Sequence, residues 1–483
     1  MFFLFSLRPY TYGQKNYIYL STSYKPFMNR KVIFWAVITA LGGFLFGFDT
    51  VVVSGAEQAI QKFWQLGDFQ HGFTIAIALV GTMTGAFAGR MPAEKLGRKA
   101  ALMIVAVIFL VTSLGTAFVN NWYLFVVLRF IGGLGIGASS VIAPIYISEI
   151  SPASFRGRLV ILFQFNIVLG IVVSLLSNYI IVTSYHGSWR LMLAVMAVPS
   201  LLYLILLKFV PESPRWLILH KSKYDEAKKT LQLMNADGYE QDMENIVNSK
   251  NQEVKDSSSE KLFSKRYSKL AWLAFLIAFF NQVSGINAIL YFAPSIFTLA
   301  GFDKSDSFSA SFYLGLVNFA FTMLAIFLID RAGRRKLMMI GSFGLIAALG
   351  LVSYCFHLQE SHAAVGGANG VVNNTDGGYI IWLLMAYIAF FAVSQGAVIW
   401  VFLSEIFPNQ VRAKGQSLGS FTHWTLATII TFLFPAVRTH VEGQYIFMFF
   451  CGMMILQLLF VWKLMPETKG KSLENMERTL SMH

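Results

Sequence analysis

Charge is what this sequence has least of. Only 13% of its 483 residues are Asp, Glu, Lys or Arg, about half the share found in an ordinary soluble domain. So little polar surface cannot cover a soluble protein that is 56% hydrophobic and carries 45 Phe, so much of the apolar surface must face lipid. Cysteine is scarce as well. Cys355 and Cys451 both lie in apolar runs; they cannot build a disulfide framework, and no Cys/His spacing points to a metal site. The run Gly133-Leu134-Gly135-Ile136-Gly137-Ala138 matches a dinucleotide fingerprint on paper, but it sits inside an apolar stretch without a strand before it. No cofactor and no metal are expected, and the chain does not read as an enzyme.

What is abundant is long apolar sequence. A helix needs about 20 such residues to cross a bilayer, and twelve stretches qualify, with limits near 32–53, 72–92, 100–119, 122–145, 159–182, 189–210, 269–299, 308–330, 336–356, 379–405, 414–438 and 443–463. The net charge of +13 then acquires a pattern. With both termini inside, the inward segments hold 33 of the 38 basic residues, the outward ones hold only Lys62, Arg190, Lys304 and Arg438, and Arg129 lies within a span. This positive-inside bias orients the chain and makes the basic excess topological rather than a nucleic-acid footprint.

The second half repeats the first. Ser148-Glu149-Ile150-Ser151-Pro152 and Ser404-Glu405-Ile406-Phe407-Pro408 lie 256 residues apart, as do Arg156 and Arg412. Pro211-Glu212 and Pro466-Glu467 are offset by 255, but Gly97-Arg98-Lys99 and Gly333-Arg334-Arg335 by 236. A long outward loop at 357–378 accounts for the difference. The expected fold is an all-α membrane protein of 12 transmembrane helices in two six-helix bundles. Its divisions are an N-terminal tail or start-site artefact (1–29), a first bundle (30–210), a cytoplasmic connector with short helices (211–268), a second bundle (269–465) and a cytoplasmic tail (466–483). Within the connector, 224–234 and 240–247 have helical patterns and 255–261 reads as a linker. Parallel six-span halves around a midplane site are a transporter architecture. The charges recurring at inner helix ends read as gating latches, with Glu149 pairing to Arg98 or Arg156 and Glu405 to Arg334 or Arg412.

Ionisable residues inside spans are costly and mark function. Two are read as such, Asp49 late in the first span and Arg129 early in the fourth. Because these spans run in opposite directions, the depths match and the two can pair. Arginine stays charged while desolvation favours a neutral carboxyl, so the pair forms a proton switch. Polar groups mark a cavity: Gln164 and Asn166 in the fifth span, Asn281 through Asn287 in the seventh, Asn318 in the eighth, Trp400 in the tenth, and Thr422, His423 and Trp424 in the eleventh. In a continuous seventh helix, 281, 284 and 288 share one face and 282, 285 and 286 the next. Amides that donate and accept, beside indole faces, suit a neutral polyol such as a sugar. His423 lacks a second ligand and reads as a cavity residue. Gly81, Gly85 and Gly89 form a close-packing face.

Six motifs in order give these observations a family. Arg129-Phe130-Ile131-Gly132-Gly133, Pro211-Glu212-Ser213-Pro214-Arg215, Gln282 through Asn287 with Tyr291, Asp330-Arg331-Ala332-Gly333-Arg334-Arg335, Ser404-Glu405-Ile406-Phe407-Pro408 and Pro466-Glu467-Thr468-Lys469-Gly470 resemble the sugar porter family of the major facilitator superfamily over residues 30–478. The resemblance implies alternating access to hexose- or pentose-like substrates, and an acid at Asp49 implies proton symport. It places sugar against Gln164, Gln282, Asn287, Asn318, Trp400 and Trp424, and Phe46, Asn281 and His423 are read as substrate-binding beside them. The charges read as gating groups at the inner helix ends are Glu94, Arg98, Glu149, Arg156, Glu212, Asp330, Arg334, Arg335, Glu405, Arg412 and Glu467. Three positions depart from the family pattern in the expected pocket: Ile171 for an amide, Asn281 for the first Gln of a pair, and His423 for a Gln or Asn. Arg90 and Glu94 depart in the span-two motif.

The expectation is therefore a proton-coupled monosaccharide importer in the cell membrane, in a bacterium the inner membrane. Its partners are a small sugar, a proton and lipid, with no nucleic acid, and it acts as a monomer. A facilitative uniporter or a cyclitol carrier is the alternative, and a membrane sugar sensor a remote one.

Overall fold

The computed structural model describes residues 29–152, 155–185, 187–236, 238–255, 262–365, 374–408 and 410–469. The expected tails at 1–28 and 470–483 and the linker at 256–261 lie outside them. Among the described residues, twelve helices are long and apolar enough to cross a bilayer: α1 Arg30–Trp64, α2 Asp68–Ala88, α3 Arg98–Phe118, α4 Trp122–Glu149, α5 Arg156–Ser184, α6 Trp189–Phe209, α7 Ser268–Tyr291, α8 Lys304–Ala332, α9 Arg334–Ser361, α10 Gly378–Glu405, α11 Lys414–His440 and α12 Gly443–Lys463. Large apolar side chains remain exposed on many of them, among them Phe118, Val198, Phe327 and Trp382, as lipid-facing helices require.

Helix neighbours repeat between the halves. In the first, α1 packs on α5, α2 on α4 and α3 on α6; in the second, α7 packs on α11, α8 on α10 and α9 on α12. The halves meet where α2 faces α11, α5 faces α8 and α1 faces α7. The glycine face of α2 packs as expected for so narrow a helix surface. A Cβ on Gly81 would sit 2.2 Å from the Phe130 carbonyl, and one on Gly133 2.1 Å from that of Ala78, so each helix lies in the groove of the other.

The structure departs from the sequence expectation at four places. Helix α1 runs eleven residues past position 53, to a cap in which Gln65 adopts the left-handed conformation (φ 52°). Helix α7 is not continuous: it stops at Val283 and restarts at Ile286. Gly285 between them has φ 88°, with the Phe450 ring 2.6 Å from where a Cβ would stand. Only glycine takes that conformation and that contact cheaply, so the facial arithmetic across 281–288 does not hold. The expected loop at 357–378 is helical as far as Val365 and again from Asn374. His357 and Gln444 at 2.7 Å, and Glu360 accepting from the Gly443 amide, fix the extension against α12. In the connector the helix Tyr224–Met234 falls as expected, the next spans Tyr239–Lys255, and a further turn at Pro214–Lys221 buries Trp216.

Candidate transport site

The loops rich in Arg and Lys gather at one end of the helices, here termed the basic face; the opposite end is the far face. Between them, Arg129 Nη1 donates to Asp49 Oδ1 at 2.9 Å, with both residues buried. Taking two charges out of water costs several kcal/mol per ion, and removing one partner costs about 3–5 kcal/mol. Such a pair is tolerated only where the fold holds both ends, and here α1 and α4 are packed together.

Next to the pair a cavity of about 180 Å³ opens between the halves. It is lined by Phe46, Gly47 and Thr50 from α1, Gln164, Ile167 and Ile171 from α5, Asn281, Gln282, Asn287 and Tyr291 from α7, Asn318 and Thr322 from α8, Trp400 from α10, and His423 and Trp424 from α11. All nine residues expected to contact sugar are in this lining. Asn166 is not; its amide donates to the Leu162 carbonyl at 2.8 Å. The break in α7 turns Asn287 back so that its Nδ2 donates to Gln282 Oε1 at 2.6 Å. Gln282 Nε2 in turn donates to Asn281 Oδ1 at 2.8 Å and to His423 Nδ1 at 3.0 Å. The ring centroids of Trp400 and Trp424 lie 5.0 and 4.9 Å from His423, and Phe46 reaches Trp424 from the other half at 6.2 Å. The result is an amide chain on one side and an aromatic wall on another.

More than nine-tenths of the chain matches known transporters. Residues 35–480 match the family model described as sugar (and other) transporter. The arabinose-proton symporter of Bacillus subtilis is 34% identical over 454 residues, covering 92% of this chain and 94% of that protein. A glucose transport protein of Synechocystis is 34% identical over 457 residues, covering 91% and 95%. Among solved structures, the inward open xylose transporter XylE from E. coli superposes with a TM-score of 0.78 at 31% identity, covering 92% and 98%. The chain belongs to the sugar porter family of the major facilitator superfamily.

The basic face of this sugar porter carries the same clamp twice. Gly97 (φ 106°) and Gly333 (φ 88°) precede α3 and α9. Their missing side chains admit a carboxylate, since a Cβ would stand 2.3 Å from Glu212 Oε2 or 2.6 Å from Glu467 Oε2. Glu212 accepts from the Arg98 and Lys99 amides at 2.9 and 3.2 Å, and Glu467 from those of Arg334 and Arg335 at 2.9 and 3.1 Å. Each carboxylate thus caps a helix N-terminus, where the orphan donors and the dipole favour negative charge. Arg98 grips Glu149 through Nε and Nη2, both at 3.0 Å, and Arg334 grips Glu405 at 3.1 and 2.8 Å. Of the alternative partners, Arg156 stands exposed at the start of α5 and Arg412 turns its Nε to the Phe407 carbonyl. Glu94 pairs with Arg90 at 2.6 Å on the surface, away from the clamp. Asp330 reaches Arg334 at 3.2 Å and Arg335 donates to the Val461 and Trp462 carbonyls. Burial holds the Glu212 carboxyl above its usual range, against the three backbone amides and the Arg98 charge that stabilise its ionised form. For Glu467 burial acts the same way, but four backbone amides outweigh it and hold the carboxyl below its usual range.

Two groups of site residues escaped the sequence reading. Ser213 and Thr468 donate to Glu149 and Glu405 at 2.5 Å; they follow the Pro-Glu pairs at the same 255-residue offset, a signal that was legible. Glu57 and His71 are fully buried, with His71 Nε2 2.9 Å from Glu57 Oε2. Ser295, on the segment after α7, donates to Glu57 Oε1 and accepts from Gln58 Nε2 at 2.6 Å. So Asp49 and Arg129 are not alone as buried ionisable residues in helices. The expected limits leave Glu57 and His71 in a loop, because they end the first span eleven residues early and start the second four residues late. Together with Ser295 they tie the halves together at the far face, where the Phe432 carbonyl also closes to 1.9 Å from a Cβ position on Gly72.

Proposed function

We propose that the protein imports a monosaccharide, a pentose or hexose, together with a proton. The observation that carries this is the buried Asp49–Arg129 pair on the same turns of α1 whose Phe46, Gly47 and Thr50 line the amide-and-aromatic cavity. Sugar hydroxyls pair with Gln164, Gln282, Asn287 and Asn318, and the C–H faces of the ring lie on Trp400 and Trp424. Positive-inside bias puts the basic face and both termini in the cytoplasm, so the closed far face is the outer gate and the structure faces inward. The protein then sits in the cell membrane, in a bacterium the inner membrane. One chain encloses the whole cavity, so a monomer suffices. Residues 30–210 and 269–465 act as the two moving bundles and 211–268 as their connector.

In the cycle, protonated Asp49 no longer holds Arg129, and α1 and α4 are free to repack as sugar is enclosed. Release of both substrates inward restores the pair. Unpairing a buried charge involves about 3–5 kcal/mol, comparable to the roughly 5.5 kcal/mol that moves a two-state equilibrium from one side to the other. The names of the Bacillus arabinose-proton symporter and of XylE support this substrate class and, for the first, the coupling ion. The test is uptake of labelled xylose, arabinose and glucose into proteoliposomes under an inward-directed proton gradient. Accumulation that an uncoupler collapses, and that Asp49→Asn abolishes while sugar exchange persists, is the expected result. Accumulation indifferent to the uncoupler rules symport out in favour of another driving force, and equilibration without accumulation means uniport.

A further inference from the structure

Beside the ion pair lies a second, much smaller cavity of about 10 Å³, room for about one water, lined among others by Asp49, Arg129, Thr112, Ser113, Thr116 and Gly132. None of these residues lines the sugar cavity. Asp49 Oδ2 and Arg129 Nε and Nη2 are shielded from solvent and have no hydrogen-bond partner among the described residues. Buried polar atoms of this kind are nearly always satisfied, by protein or by ordered water. The three hydroxyls of α3 spend their hydrogens on their own helix: Thr112 on the Ile108 carbonyl at 2.8 Å, Ser113 on Leu110 at 3.0 Å and Thr116 on Thr112 at 2.7 Å. They therefore face the cavity as acceptors. Arginine donors, a carboxylate acceptor and hydroxyl acceptors around one small space match a molecule that both gives and takes hydrogen bonds, which is water. Gly132 keeps the space: a Cβ there would stand 3.3 Å from Thr112 Oγ1 and 4.0 Å from Asp49 Oδ2.

We propose that this cavity is a water site that delivers the coupling proton to Asp49 by a route separate from the sugar's, a proposal that rests on Asp49 as the proton carrier. Thr112 and Thr116 lie one turn apart on α3, with Thr116 nearer the far face. A water held between them and Asp49 gives a proton to Oδ2, where an O–H bond forms, and regains one from a water nearer the outside. The water ends unchanged, Asp49 ends neutral and Arg129 keeps its charge. The lining from α3 offers Asp49 only hydroxyls, that from α6 only Leu193 and Met196, and that from α4 the Arg129 charge. The titratable group from the second half, Tyr291, lies on the sugar-cavity side.

The test uses the full chain in proteoliposomes, with the labelled pentose or hexose that the wild type accumulates. Gly132→Ala fills the space, and Thr112→Val with Thr116→Val removes acceptors at nearly constant volume. Each is expected to slow proton-driven uptake about ten-fold, the weight of one buried hydrogen bond, and to move its half-maximal point to more acid external pH. Sugar counterflow at equal pH keeps its rate and KM, and Thr112→Ser behaves as wild type. If both variants keep the wild-type rate and pH profile while Asp49→Asn abolishes accumulation, the proton travels through the sugar cavity and the proposal fails. If counterflow falls in step with proton-driven uptake, the cavity is packing only and the proposal fails likewise. If Asp49→Asn itself accumulates sugar normally, it is the reading of Asp49 that fails. Should Gly132→Ala not fold, the valine pair decides.

Discussion

Ser295→Ala is the most direct probe of how the halves are held shut. The hydroxyl donates to the buried Glu57 carboxylate and accepts from Gln58 at 2.6 Å. Glu57 keeps His71 at 2.9 Å on its other oxygen, so the substitution removes the link to the second half and leaves the pair within the first intact. A hydrogen bond to a charged group contributes about 1.5–3 kcal/mol. That bond exists only while the far face is closed, so its loss shifts the balance towards the outward-open state by about ten- to a hundred-fold. Spin labels at Lys62 and Val441, exposed on opposite halves at the far face, read the distance across the gate after Cys355 and Cys451 are replaced by serine. The variant is expected to gain a long-distance population, and Glu57→Gln, which keeps an acceptor but not the charge, a smaller one. Identical distance distributions in Ser295→Ala and wild type would refute the latch.

Asn287→Ala leaves Gln282 Oε1 without its donor in the sugar cavity, and weakens sugar binding about ten- to a hundred-fold, read as KM in counterflow. Gly333→Ala forces a Cβ into the left-handed region and against Glu467; strain of about 1–2 kcal/mol lowers the thermal midpoint in detergent, more than Gly301→Ala, where the nearest side-chain atom is 3.6 Å away. The two clamps respond to acid in opposite senses. Glu467 is held below its usual range, so its contribution is complete at neutral pH and is lost as pH falls through its folded value. Glu212 is held above its usual range, so the fold takes up its proton first and gains stability as pH falls from neutral. Plotted against pH, the thermal midpoints of wild type relative to Glu467→Gln and to Glu212→Gln should slope in opposite directions; parallel slopes would contradict the burial argument.

Much of this was legible because membranes restrict what a sequence can do. Apolar runs of bilayer length must be helices, so twelve of them were found, with limits generally a few residues off. The duplicated motifs named both clamps because glycine before Arg and the distant Pro-Glu recur at matched spacing. The Asp49–Arg129 partnership was visible because both residues are expensive where they stand and their depths agree. What failed had a common cause. The first span ends near 53 in the sequence, short of Glu57 and Gln58, whose partners His71 and Ser295 are brought to them only by folding. The seventh span was drawn unbroken because nothing local reveals that Phe450 of α12 packs on Gly285.

By itself, then, the sequence determined the lipid environment, the number of crossings, the two-fold repeat and the residue types of the cavity, since each follows from composition, period or spacing along one chain. Only the tertiary structure decided which arginine each glutamate takes, that α7 breaks to turn Asn287 towards Gln282, that Glu57 closes the far face, and that Asp49 borders a space of its own apart from the sugar cavity. Those depend on which atoms of distant helices approach within about 3 Å, and directional bonds over that distance are set by packing rather than by hydropathy.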